Sequence, residues 1–153
     1  MMLKLKERPV TTKEFDTRNI RWNRIEGFDH IEYHVCDVDE ANRSVDILFK
    51  FAANQKIALH RHHADYRTLV LQGELRIYRK NGEVKEIRPV GSYVFTAAGG
   101  EPHTEGGGDQ DVIALFSNRN VGALIYEILD DDLNTITTFG IPEFKALLEG
   151  QKA

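Results

Sequence analysis

Cysteine, proline and long apolar runs are scarce in this 153-residue chain, and each scarcity excludes something. The single Cys36 can close no internal disulfide. Its neighbours alternate like a strand, so it is expected to be a small buried residue without a catalytic role. No stretch of about 18 apolar residues occurs, and no membrane-spanning helix is expected. The first residues, Met1-Met2-Leu3-Lys4-Leu5-Lys6-Glu7-Arg8, interrupt their apolar positions with charge and form no secretory h-region, which predicts a cytoplasmic protein. A basic stripe is missing too. With a formal net charge of -4 and both signs interspersed, the chain offers little to neutralise phosphates, and nucleic acid is not an expected partner. Internal repeats are absent as well, so the length predicts one domain over residues 1–153.

What is present is period-two patterning. Ile31, Tyr33 and Val35, then Val45, Ile47 and Phe49, recur at every second position around Asp39-Glu40-Ala41-Asn42, which predicts an antiparallel strand pair. Further strands are expected over Ile57–Leu59, Thr68–Leu71, Glu74–Tyr78, Val84–Ile87, Tyr93–Phe95, Val112–Phe116 and Ala123–Leu129. Asn81-Gly82 suggests a type I′ hairpin turn, and Gly106-Gly107-Gly108 a flexible loop tip. Short strands at this spacing predict an all-β sandwich or barrel, about residues 29–138. One helix is expected over about 141–150, where Pro142 favours a first turn and Phe144, Leu147 and Leu148 share a face. The arm before the barrel, about residues 1–28, has no clean period. Its Ile20, Trp22 and Ile25 could form an edge strand, and such an arm could also add a strand to a second copy, so a homodimer is expected.

Three of the six histidines fall in His60-Arg61-His62-His63. On an extended segment, positions i and i+2 project to one side, so His60 and His62 share a face and His63 takes the other. His103 follows a glycine-rich loop, and a closed barrel would bring it beside the pair. Neutral imidazoles so grouped point to a divalent metal, with open positions left for a small-molecule substrate.

At these residues the chain resembles the cupin superfamily. Its first motif has His-x-His, an acidic residue four positions on and a glycine seven after that, matched by His60, His62 and Gly73. The second motif runs from Gly91 to His103, with Ala98 in a proline slot and Gly100 in a glycine slot. The resemblance spans about residues 45–117 and implies a single cupin barrel, a double-stranded β-helix or jelly roll, with a short C-terminal helix. The acidic slot holds Tyr66. A phenol with a pKa around 10 is a poor ligand, so Tyr66 is expected to support catalysis beside the metal as a hydrogen-bonding or pocket residue.

A set of His60, His62 and His103 is similar to that of the small acetylacetone and dihydroxyacetophenone dioxygenases. The tail, Gly122–Tyr126, Thr135–Thr138 and a terminal helix, is similar as well. This resemblance implies cleavage of a carbon–carbon bond in a β-diketone or hydroxyketone by dioxygen at Fe(II), while Zn, Ni or Mn also suits such ligands. Phe49, Phe51, Tyr78, Phe95 and Phe116 are candidate pocket residues. Arg61 and Arg67 could meet a substrate anion but are expected on a solvated face, as are His63 and Asp65. Glu101 and Glu105 flank His103 and could orient its ring. The alternatives are a non-catalytic metal-binding or ligand-sensing module, or a cofactor-free isomerase or epimerase using His60 and His62 as acid and base.

Overall fold

Strict alternation of buried and half-buried side chains along Ser44–Phe51 and Asp65–Gln72 gives each one core-facing side, and these sides must meet other elements. The computed structural model, which describes residues 14–152, satisfies this with two packed antiparallel sheets. One sheet contains β1 (Ile31–Asp39), β2 (Ser44–Phe51), β9 (Val112–Arg119), β4 (Asp65–Gln72) and β7 (Tyr93–Thr96), in that spatial order. The other runs β11 (Thr135–Phe139), β10 (Tyr126–Leu129), β3 (His60–His62), β8 (His103–Gly107), β5 (Leu75–Arg79) and β6 (Val84–Arg88). The chain crosses repeatedly between the sheets, so the expected all-β architecture takes the form of a jelly-roll sandwich. Ile47, Phe51, Ala114 and Phe116 from one sheet meet Leu75 and Ile77 from the other in a single buried core.

The helix α1 (Ile141–Gln151) starts after Gly140 with Pro142 in its first turn, where a missing N–H costs nothing. It buries Phe144 and packs Leu147 and Leu148 against the core. Its last residue ties it to β1: the Gln151 side chain accepts from Val35 N (3.0 Å) and donates to Val35 O (2.7 Å).

Several local expectations give way to packing. Residues 57–59 are not a strand; the ladder begins at His60, while Ile57 N–H donates to Glu105 O at 2.8 Å. The hairpin at residues 79–83 is not type I′, since only Gly82 is left-handed (φ 91°) and its N–H donates to Arg79 O, a turn followed by a one-residue bulge. Cys36 is exposed, because alternation that turns Tyr33 and Val35 to the core puts residue 36 on the outer face, where a bulge between Val35 and Asp37 also interrupts the ladder. Gly106 and Gly107 form no flexible tip. They are buried in β8, and a Cβ on Gly106 would meet the Gln55 carbonyl oxygen, with its carbon 2.9 Å away.

The described part of the N-terminal arm forms a β-bridge with β1, Asn23 with Tyr33, also meets it through Arg21 O with His34 and Arg24 with Glu32, and places Trp22 beneath the Lys50 ammonium. Residues 1–13 of that arm, including the charged N-terminal run, lie outside the described residues. Among the described residues no helix is long and apolar enough to cross a membrane.

Candidate metal centre

β3 is three residues long, and its alternation alone sorts its side chains: His60 and His62 are buried, while Arg61 turns outward to Glu127. The antiparallel register sets His60 opposite His103 on β8. Glu105 stands two residues beyond His103, so the same pleat carries its carboxylate to the same side. These four buried residues bring their donor atoms within 4.8 Å of one another. His62 Nε2 and His103 Nε2 are 3.1 Å apart, His60 Nε2 is 3.4 Å from Glu105 Oε2, and His103 Nε2 is 3.3 Å from Glu105 Oε1. His60 Nδ1 meets Ala58 O at 2.8 Å. A carbonyl only accepts, so this contact puts the proton on Nδ1 and leaves the Nε2 lone pair facing the cluster.

Burial opposes charge on Glu105, His60 and His62, and their neighbours either outweigh it or add to it. For Glu105, burial is outweighed by His103 and His60, which hold its carboxyl well below the ordinary range. For His60, burial is outweighed by the Glu105 carboxylate, and its pKa rises. Burial and the proximity of His60 hold His62 well below the ordinary value, as a neutral imidazole. A carboxylate oxygen without a hydrogen bond is costly when buried, yet Glu105 Oε1 has none among the described residues. Two imidazole nitrogens facing each other likewise compete for one proton. Both oddities fit a cation between them, since ligand atoms about 2.0–2.2 Å from one ion stand about 3 Å apart. Three nitrogens and one carboxylate suit a divalent transition metal.

Residues 11–121 match the sequence model of a family described as the ChrR cupin-like domain. The chain belongs to that family. Solved structures agree on the fold. A cupin from Ralstonia eutropha JMP134, described as RmlC-like, has a TM-score of 0.70 at 18% identity, over 92% of this chain and 87% of its own. An acetylacetone dioxygenase from Acinetobacter johnsonii has a TM-score of 0.68 at 14% identity, over 99% of both chains. The polyketide cyclase RemF from Streptomyces resistomycificus has a TM-score of 0.56 at 16% identity, over 93% and 97%. No functionally curated protein matches the chain by sequence.

In this cupin the acidic member of the donor cluster comes from Glu105 on β8, while the motif position on β4 is filled by Tyr66. Tyr66 is buried in the opposite sheet, with its ring parallel to His62 at 3.9 Å between centroids and 12° between planes. Burial pushes its phenol pKa well up, so it stays protonated. The Glu105 carboxylate would cancel one positive charge of a divalent ion held there. The signal for Glu105 was its i+2 spacing from His103, the relation that joins His60 to His62.

Other candidates lie elsewhere. His63 is exposed and pairs with Glu127 at 2.9 Å. Asp65 accepts from Ala98 N and Asn120 Nδ2, and Arg67 covers the Phe95 ring. Glu101 pairs with Lys85 at the surface. Phe49, Phe51 and Phe116 line a cavity between the sheets, with His60, His62 and Glu105 in its wall. Tyr78 faces outward under Lys56. Phe95 borders a second cavity, which reaches His62, Tyr66 and His103 from the other side. Tyr126, absent from the sequence-based candidates, packs edge-on to His62 at 5.3 Å and exchanges hydrogen bonds with Asn118.

Proposed function

We propose that this cupin is a metal-dependent dioxygenase cleaving a carbon–carbon bond in a β-diketone or hydroxyketone. The observation that carries the reading is a His60/His62/His103/Glu105 cluster of which His60, His62 and Glu105 stand in the wall of a mostly apolar cavity. A bound divalent ion, with Fe(II) favoured by the resemblance to acetylacetone dioxygenases, would supply Lewis acidity toward substrate oxygens and an electron source for dioxygen. The chain does the rest. Its apolar walls exclude water from an electron-rich substrate, Tyr66 fixes the plane of His62 by stacking, and the Ala58 carbonyl fixes that of His60. The protein is proposed to work in the cytoplasm, and as a homodimer. Tyr93 and Phe95, exposed on the edge strand β7, support the dimer.

Elemental analysis, followed by anaerobic Fe(II) loading and an oxygen-electrode trace with a panel of β-diketones and hydroxyketones, tests this. One ion per chain and substrate-dependent oxygen uptake are expected. A second reading, a non-catalytic metal-binding or ligand-sensing module, is favoured by the fourth donor, because four protein ligands complete a tetrahedral structural site. One tightly held zinc and no uptake across the panel would establish that reading instead.

A further inference from the structure

We infer that the ligand of this centre is an uncharged ketone with an apolar alkyl or aryl arm, and that the arm occupies the cavity between the sheets. The inference rests on the proposed function for the ketone and on the cavity walls for the arm. Two cavities meet at His62, and a ligand held at the cluster could extend into either. They differ in chemistry. The first is walled by side chains such as Phe49, Phe51, Phe116, Ile128 and Phe139, and among the described residues no lysine, arginine or aspartate lines it. Its polar groups are those of the cluster and of two tyrosines, and the Tyr126 hydroxyl is already engaged with Asn118. A charged arm there would be buried without a partner, whereas an alkyl arm would gain about fourfold in affinity for each methylene removed from water.

The second cavity is bordered by Lys85, Glu86, Arg88 and Glu101. Its charges are already matched, Lys85 to Glu101 at 3.1 Å and Arg88 to Glu86 at 2.9 Å, and Arg88 also donates to Thr68 at 2.8 Å. An apolar arm placed there would strip water from two ion pairs and gain little. A charged arm would have to displace a partner already in place. Only the first cavity rewards an arm of any kind, and it rewards an apolar one.

The test uses the full chain in two states. Metal-free protein is titrated by calorimetry with 2-butanone, 2-hexanone and 2-octanone, and with octanoate as the charged counterpart. Cobalt-loaded protein is titrated anaerobically with 2,4-pentanedione and 2,4-octanedione, read by the visible spectrum of the cobalt. Affinity is expected to rise about fourfold per methylene in both series, with octanoate at least about tenfold weaker than 2-octanone. Ile128→Trp, which fills the apolar cavity, should flatten both series, and Ala97→Trp, on the wall of the polar cavity, should leave them unchanged. Flat series, tighter binding of octanoate, or flattening by Ala97→Trp alone would overturn the inference. A rising ketone series in a protein that takes up no cobalt, or consumes no oxygen when iron-loaded, would uphold the cavity assignment and refute the dioxygenase reading.

Discussion

Replacing Gly106 by alanine should cost more than any other single methyl added near the metal centre. The glycine lies in β8 between Glu105 and Gly107, and its missing side chain is the space into which the backbone of residue 55 fits. An added Cβ would press on the Gln55 carbonyl, with the carbonyl carbon at 2.9 Å and the Lys56 Cα at 3.5 Å, so backbone rather than a flexible side chain must move. Overpacking of a rigid interior costs about 1–3 kcal/mol, and a backbone obstacle puts this case near about 3 kcal/mol. For a chain of this length each kcal/mol lowers the melting temperature by about 2–4 °C, so Gly106→Ala should melt about 6–12 °C below wild type. The displacement acts where Ile57 N–H meets Glu105 O, so metal affinity should fall with it. Gly100→Ala is the control. It sits in the cupin motif's glycine slot, yet nothing lies within 4 Å of its Cβ position and its φ is not positive, so no loss is expected. Calorimetry of metal-free and metal-loaded protein decides. A Gly106→Ala melting point within about 2 °C of wild type, or an equal loss in Gly100→Ala, would refute the packing argument.

Alanine at His60, His62 or His103 should remove the bound ion, as read by elemental analysis, with the far-UV circular dichroism spectrum kept; full occupancy in each variant would disprove the site. Glu105→Gln should keep the fold and weaken metal binding by at least about tenfold in a competition titration with a chelator. Tyr66→Phe should retain metal and lose about 1 kcal/mol in denaturant unfolding, whereas Tyr66→Ala, which removes the ring stacked on His62, should lose about 3–5 kcal/mol. Loss of metal in Tyr66→Phe would make the phenol a ligand. Glu127 has its pKa lowered from 4.5 to about 2, first by Thr135 and then by His63 and Arg61. A lowered folded pKa stabilises above the unfolded value, so this contribution is present above about pH 4.5 and lost as pH falls toward 2. Glu127→Gln should flatten acid unfolding across that window, and an unchanged profile would show that the network contributes nothing.

The parts of the fold that could be read in advance are those where one side of a strand faces the core and the other faces water. β1 and β2 announce themselves through such alternation, and His60 and His62 are legible for the same reason. β8 is different. It is covered on both faces and contains Gly106 and Gly107, which have no side chains to alternate, so a strand there looks like a loop. Glu105 is legible as a residue flanking His103 that could orient its ring, but not as a donor of the cluster, because in a segment read as loop its i+2 relation to His103 carries no direction. Cys36 misled because a strand-like neighbourhood does not by itself mean burial: Tyr33 and Val35 occupy the core face and leave residue 36 the other one. The approach of residue 55 to Gly106 is a contact between distant segments, and no local pattern encodes it.

The brevity of β3 has a consequence for how the protein comes apart. Three residues join β10 to β8, and towards β8 the register contains one pair, His60 with His103. A ladder that short has little cooperativity of its own, so amide exchange should start there before it reaches the long ladders of β2, β9 and β4. An ion bound by side chains of both strands would act as a clasp on that seam, adding the free energy of its own binding to the cost of opening it. Metal supply would then set the lifetime of the folded protein, and a cell short of metal would clear idle copies first.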